Sequence, residues 1–436
     1  MCKAGWMEFN GRSSMKTKLS LAIFWIAAIG VAINVYAVEP SISNVNIRQR
    51  WPWSRLVDID YVLDCDAGEL MDVAVVLYDG DTSLTVHSQA FSGGMCAVSN
   101  GSQRIVFDPT QTAYTNHLLT QFRVELTPAP VPLYMIVDLT KAVGETNQLE
   151  YVYEVDLTNG LWGAWVRNPV TNRGSAVKSV IWTGVTTNNI YKTDKLVLRR
   201  ILKGTSTKDF YAGVFQVTQR QWELIMGTKP SWCNNPAYYA NRPVEDVSYN
   251  EIRGATGSVP SVDWPETGAS VLPTSFMGML RAKTGLIDFD LPTVVQSEYA
   301  CRAGTTTIFN DGNAAANVTG DNQHTNEWMD ALGRYKFNWG YLPPNGTAPA
   351  RDCGPENGTA IVGSYLPNAW GLYDTHGNTW EWCLDWQATA YFGQRRMLRG
   401  GVWTLSASYS ISAYSTFYTP TTGNSSTGLR LVMTLP

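Results

Sequence analysis

The run Gly371-Leu-Tyr-Asp-Thr-His-Gly-Asn-Thr-Trp-Glu-Trp-Cys383, followed by Arg399-Gly400-Gly401-Val402-Trp403 and closed by Gly428-Leu429-Arg430, constrains the fold of this chain more than any other feature. It packs a glycine turn, two carboxylates (Asp374 and Glu381) and two core-sized aromatics (Trp380 and Trp382) into one short span. Read from the residues alone, Asp374 caps the turn while Trp380 and Trp382 fill core. The segment that follows is unlike a core. Gly400 to Leu429 is 30 consecutive residues without a charge, and 17 of the 24 from Thr404 to Thr427 are Ser, Thr, Tyr or Asn.

With 436 residues the chain has material for two or three domains of roughly 150 residues each. Hydrophobic residues make up 44% and charged residues 16%, with 17 Trp and 21 Tyr, which excludes a disordered chain. Net charge is -4 and no basic block is present, so nucleic-acid binding has no electrostatic source.

Lys16 and Lys18 precede the largely apolar run Leu19 to Ile33, and Val35-Tyr36-Ala37 supplies a site that a signal peptidase would read. Residues 1–37 are therefore expected to be leader and signal peptide, with Met15 as the start. Export to the periplasm or the cell exterior follows. The membrane would be involved only through this segment, were it left uncleaved. The remaining cysteines (Cys65, Cys96, Cys233, Cys301, Cys353, Cys383) would meet an oxidising compartment. Cys65 and Cys96, both in the first β region, are the expected pair. No Cys-x-x-Cys occurs and the four histidines are far apart in sequence, so structural zinc is not expected.

From 38 to 130 short alternating runs are separated by turns. Val57 to Leu63, Met71 to Tyr78 and Arg104 to Phe107 read as strands, and a β-sandwich is their natural product. Trp51-Pro52-Trp53 reads as a strand-entry clamp; a sugar-stacking platform is the alternative and needs a second aromatic site. Residues 131–204 read as a β-rich connector with strands at Tyr134 to Asp138, Glu150 to Glu154 and Lys195 to Arg199. From 205 onward the pattern changes. Thr218 with Gln221, Ser248 with Glu251 and Thr293 with Gln296 are capping boxes, glycines at 227, 254 and 304 suit the helix exits, and Ser275 to Lys283 predicts a further short helix.

Val217-Thr-Gln, Pro243-Val-Glu-Asp-Val-Ser248, Leu291-Pro-Thr293 with Glu298-Tyr-Ala-Cys-Arg-Ala-Gly304, Pro367-Asn-Ala-Trp-Gly-Leu-Tyr373, Gly377-Asn-Thr-Trp-Glu-Trp382, Arg399-Gly-Gly401 and Gly428-Leu-Arg430 together resemble the formylglycine-generating enzyme, or sulfatase-modifying factor, family. The resemblance covers 205–436. It implies an α+β chain whose second half is a C-type-lectin-like domain low in regular secondary structure, joined to the N-terminal sandwich. It also implies a calcium site at Asp374, Gly377, Thr379 and Glu381, an oxygen set that suits a hard cation taking about six to eight ligands. The active enzymes of the family bind copper through two cysteines five residues apart after the Arg-Gly-Gly motif. Those positions fall here on Leu405 and Ser410, which supply no soft thiolate, so copper is not expected. A disulfide partner found in some members falls on Ser415, which makes Cys383 the expected partner of Cys301.

Tyrosine offers large amphipathic contact area at low entropic cost, and Ser and Asn adapt their hydrogen bonds. The segment after Arg399 therefore reads as a surface for a peptide, protein or glycan, centred on Tyr409, Tyr414, Phe417 and Tyr418 with Trp403 beneath. A non-catalytic binding protein is the first expectation. A formylglycine-generating oxidase or related oxidoreductase is the alternative. No Gly-x-Ser-x-Gly elbow for a serine hydrolase is present.

Overall fold

The computed structural model describes residues 39–168, 179–202, 208–255, 271–318, 325–341, 353–354, 357–388 and 393–436. The leader and its cleavage site lie outside them. Among the described residues no helix is long and apolar enough to cross a membrane. The chain divides into two compact units between Ala129 and Pro130.

In the first unit, strand alternation sets the architecture. Val57, Ile59, Tyr61 and Leu63 point inward from strand Val57–Asp64, and Met71, Val73, Val75 and Leu77 do so from Met71–Asp79. The first strand belongs to a sheet ordered Ser41–Gln49, Val57–Asp64, Gly101–Phe107, Phe91–Gly93. The second belongs to a sheet ordered Thr82–Ser83, Met71–Asp79, Phe122–Pro130. Ile105 and Phe107 join the same buried cluster, so the two sheets share one core. Cys65 lies in that core as a free, buried cysteine. The expected bond from Cys65 to Cys96 is therefore not formed. Its thiol fills an apolar site, and burial pushes its pKa up.

The second unit is built on a six-stranded antiparallel sheet ordered Phe289–Asp290, Val432–Thr434, Phe210–Gly213, Lys195–Ile201, Tyr134–Asp138, Leu149–Val152. Three of these strands come from 131–204, so the stretch read as a connector is part of this unit's core. The chain's last strand lies inside this sheet and closes the unit. A second sheet orders Thr416–Tyr418, Arg396–Arg399, Trp380–Trp386 and Thr427–Gly428, the last pair being parallel. With its six short α-helices among the described residues, the chain is α+β.

Three of those helices start where the capping boxes placed them. The hydroxyls of Thr218, Ser248 and Thr293 accept the N–H of Gln221, Glu251 and Gln296, and each of those side chains returns the bond to the cap. Gly227 exits in the left-handed region at φ 70°. The third helix differs from expectation: Ala303, at φ 45°, takes the left-handed exit and Gly304 follows it.

Sequence reading also misplaced the second unit's covalent link. Cys233 is bonded to Cys353 across 120 residues, with Cα atoms 5.2 Å apart. Cys301 and Cys383 are free and buried. The Cys301 thiol donates to the Thr375 carbonyl (3.5 Å), whereas Cys383 sits on strand Trp380–Trp386 with its sulfur against the Glu381 carbonyl (3.8 Å). Each sulfur is committed to its own surroundings.

The backbone N–H of Cys233 donates to Oε1 of buried Glu245 (2.7 Å), while Oε2 has no partner. Burial raises that carboxyl to about 8. The folded chain therefore keeps a proton that the unfolded chain has already lost, and stability falls as pH rises from about 4.5 to about 8. Chemical denaturation across that window should show Glu245→Gln, which keeps the acceptor and removes the charge, flattening the slope between pH 6 and 8. An unchanged slope would exclude Glu245 as its source.

Candidate functional site

Arg430 follows the short strand Thr427–Gly428 and is almost fully buried. Its Nε donates to both oxygens of Glu381 (3.0 and 3.2 Å), and Nη2 donates to Glu381 Oε1 (2.8 Å) and to the carbonyls of Tyr373 (2.8 Å) and Asp374 (3.1 Å). Nη1 reaches the carbonyls of Gly213 (2.9 Å) and Val214 (3.2 Å). One planar cation thus ties the sheet, the 371–379 loop and the strand after it. Gln216 completes the node, its amide donating to Thr379 O and Glu381 Oε1, both at 3.0 Å.

The loop itself depends on left-handed backbone. Asp374, Gly377 and Asn378 have φ of 54°, 76° and 65°. A Cβ at Gly377 would come within 2.1 Å of the Arg334 carbonyl, so only glycine fits there. Gly377 N–H donates to Gly400 O (2.6 Å) and Trp403 N–H to Asn378 O (3.0 Å), which couples this loop to the Arg-Gly-Gly turn.

The structure therefore gathers three of the four residues assigned to calcium, Asp374, Thr379 and Glu381, around Arg430 and Gln216. Their fit to a cation is uneven. Asp374 Oδ2 accepts Gly363 N–H (2.7 Å), but buried Oδ1 has no partner, and burial lifts this carboxyl to about 6. An unpaired buried carboxylate oxygen suits a hard cation. Glu381, however, is already neutralised by Arg430, and the Thr379 carbonyl is held by Gln216. Among the described residues no group of three or more His, Cys, Asp or Glu is arranged to hold a metal.

Leu405 and Ser410 flank the short 3-10 turn Ala407–Tyr409. Leu405 is half-buried and its carbonyl accepts Lys336 N–H (2.8 Å). Ser410 is buried, its hydroxyl has no partner, and a Cβ at Gly401 would meet that hydroxyl at 2.2 Å. The Ser410 carbonyl accepts His376 Nδ1–H (2.6 Å), and His376 Nε2 accepts Asn310 N–H (3.1 Å). A ring that donates at one nitrogen and accepts at the other is neutral. Cys301 Sγ lies 3.9 Å from Nε2 in this sealed network.

The aromatic residues form two groups. Tyr409 and Tyr414 meet edge to face at 5.2 Å, and Tyr414 rests on Trp380 at 5.9 Å. Phe417 lies under the Arg395 guanidinium (5.2 Å), and exposed Tyr418 sits 6.5 Å from Trp382 on the outer strand of the second sheet. Trp403 belongs to the other group. It is buried, bonded through Nε1 to Ser425 O (2.8 Å), and stacked on Trp232 at 5.9 Å, with Tyr341 at 6.5 Å. Sequence reasoning missed Trp232 and Tyr341, whose only signal was an exposed aromatic beside Cys233 and another in a Gly- and Pro-rich loop.

Residues 179–435 match the model of the sulfatase-modifying factor enzyme 1-like domain, so the match begins earlier than residue 205. Chaperone protein LppX of Paenibacillus barcinonensis is 26% identical over 227 residues, which cover 49% of this chain and 75% of that protein. Formylglycine-generating enzyme of Streptomyces coelicolor is 36% identical over 140 residues, covering 27% of this chain and 37% of the enzyme. Among solved structures, Treponema denticola variable protein 1 aligns with a TM-score of 0.36 and 22% identity over 55% of this chain and 95% of that one.

Removing Arg430 would leave Glu381 as an uncompensated buried charge and take a donor from four carbonyls. Arg430→Met is expected to cost about 3–5 kcal/mol in urea unfolding. A loss within about 0.5 kcal/mol would show that the node does not hold the unit together.

Proposed function

The chain belongs to the family of sulfatase-modifying factor enzyme 1-like domains, and from that premise we propose that it is an exported, non-catalytic member that binds a peptide or glycan ligand through its Ser/Thr/Tyr-rich C-terminal segment. The observation that carries this reading is the pair Leu405 and Ser410 at the positions where the resemblance implies copper-binding thiols. Neither offers the soft ligand that copper(I) selects. The free cysteines among the described residues, Cys65, Cys301 and Cys383, are all buried.

Several features support a binding role for the surface. Tyr409 and Tyr414 are braced against each other and against Trp380, so a ligand would meet aromatics that are already ordered. The outer strand Thr416–Tyr418 adds an edge of main-chain groups beside Tyr418, which suits an extended peptide. The competing reading, a formylglycine-generating oxidase or related oxidoreductase, draws on family membership and on the names of relatives of which this chain spans only part.

Calcium enters as part of the proposal. It would be held at Asp374 Oδ1 with neighbouring carbonyl oxygen and would stiffen the loop that carries Trp380 and supports Trp403. Because Asp374 titrates at about 6, calcium should raise Tm at pH 7.5 relative to a chelator, and the shift should shrink at pH 5 as the carboxyl takes a proton. Equal Tm with calcium and chelator at pH 7.5 would leave Arg430 as the site's cation.

Peptide and glycan arrays probed with the full chain test the surface. A Tyr409→Ala/Tyr414→Ala variant is expected to lose about tenfold or more in affinity for any captured ligand, the scale of aromatic anchors at interfaces. Binding by the variant that matches the parent would place the site elsewhere.

A further inference from the structure

We propose that the sandwich unit carries a second binding site, a carbohydrate groove at one end of its two sheets. The groove encloses about 440 Å³ and falls in the range of small-molecule sites, about 300–1,000 Å³. Val57, Phe107 and Phe122 form its apolar floor, and Trp51, Tyr114 and His117 stand along it. This supplies the second aromatic position that the Trp51-Pro52-Trp53 cluster needs. Trp51 does not clamp the core, because it is 67% exposed.

Both sides of the groove are fixed in advance. The turn bearing Trp51 is closed by the N–H groups of Trp53 (3.1 Å) and Ser54 (3.2 Å) donating to the Arg50 carbonyl. The Arg50 guanidinium is anchored on buried Asp58 Oδ1 at 2.6 and 3.0 Å. On the opposite side, the Tyr114 hydroxyl accepts Thr85 N–H (3.1 Å), and its ring meets His117 edge-on at 5.9 Å. Aromatic plates held this way lose little conformational entropy on binding.

The polar lining identifies the ligand class. Gln49, Thr115 and Asn116 are neutral donors and acceptors, and Arg55 is the only formally charged side chain among the described residues that line the groove. Arg55 spends one nitrogen on long bonds to Asn116 Oδ1 (3.2 Å) and Thr115 O (3.4 Å). A purely apolar ligand would strip water from these groups and give nothing back. A polyanion would find a single cation. A sugar ring offers an apolar C–H face to Trp51 and a rim of hydroxyls to the amides, and a uronate would add a carboxylate for Arg55.

The test is calorimetric titration of the full chain with neutral hexoses joined as oligomers, amino-sugar oligomers and uronate oligomers. One class is expected to bind. Trp51→Ala, at an exposed position, should weaken it tenfold or more, and Asn116→Ala should weaken it independently, while Leu161→Ala, exposed and outside both surfaces, leaves it unchanged. Failure of all three classes to bind overturns the proposal, as does full affinity in both Trp51→Ala and Asn116→Ala. Loss in Tyr414→Ala alone would transfer the sugar to the C-terminal surface.

Discussion

The second unit is organised around one buried cation. Arg430 directs its guanidinium at Glu381 and at four backbone carbonyls drawn from the sheet and the 371–379 loop. Those segments are far apart in the chain and make little regular secondary structure with each other, so a network of charge-assisted hydrogen bonds does what strand pairing does elsewhere. Irregular loops are affordable only because their polar groups are satisfied at such a node. The glycine turns at 377 and 400–401 follow from the same demand, since they let the loop and the Arg-Gly-Gly turn approach within hydrogen-bond distance.

On this frame sits the uncharged 400–429 segment. Its ends are fixed by Arg399 and Arg430, while the residues between carry no charge and set their aromatic side chains against one another and against Trp380, Trp382 and Trp232. Leu405 and Ser410 sit within it without disturbing the fold. Ser410 serves through its carbonyl, which accepts His376 Nδ1–H and orients that ring, and that role needs no particular side chain. A surface of tyrosines and hydroxyls in this segment is consistent with the binding role proposed for it. The first unit has its own core and its own aromatic groove.

Much of the fold was legible in the sequence because its signals are local. Alternation in Val57 to Leu63 and the capping boxes at Thr218, Ser248 and Thr293 depend on neighbours within a few residues. The failures were non-local. The Cys233–Cys353 bond spans 120 residues, and nothing near either cysteine announces the other. The family resemblance made Cys383 the expected partner of Cys301, but each is absorbed by its own buried surroundings. The placing of Tyr134–Asp138, Leu149–Val152 and Lys195–Ile201 within the six-stranded sheet depends on strands contributed from both ends of the unit. In the candidate site, family resemblance assigned Asp374, Gly377, Thr379 and Glu381 to calcium, and Arg430 and Gln216 as partners of these residues were not anticipated. Trp403 was expected beneath the tyrosines and instead stacks on Trp232, a contact set by the loop around Cys233.

The central claim, that this chain keeps the family's frame without its oxidation chemistry, is tested most directly by mass-spectrometric turnover. The purified chain would be incubated with copper, oxygen, reductant and a cysteine peptide bearing the sulfatase motif, beside a known active formylglycine-generating enzyme. The account predicts unchanged peptide in the presence of this chain while the active enzyme converts its share to the aldehyde. Conversion by this chain would contradict the account and require a set of metal ligands other than Leu405 and Ser410.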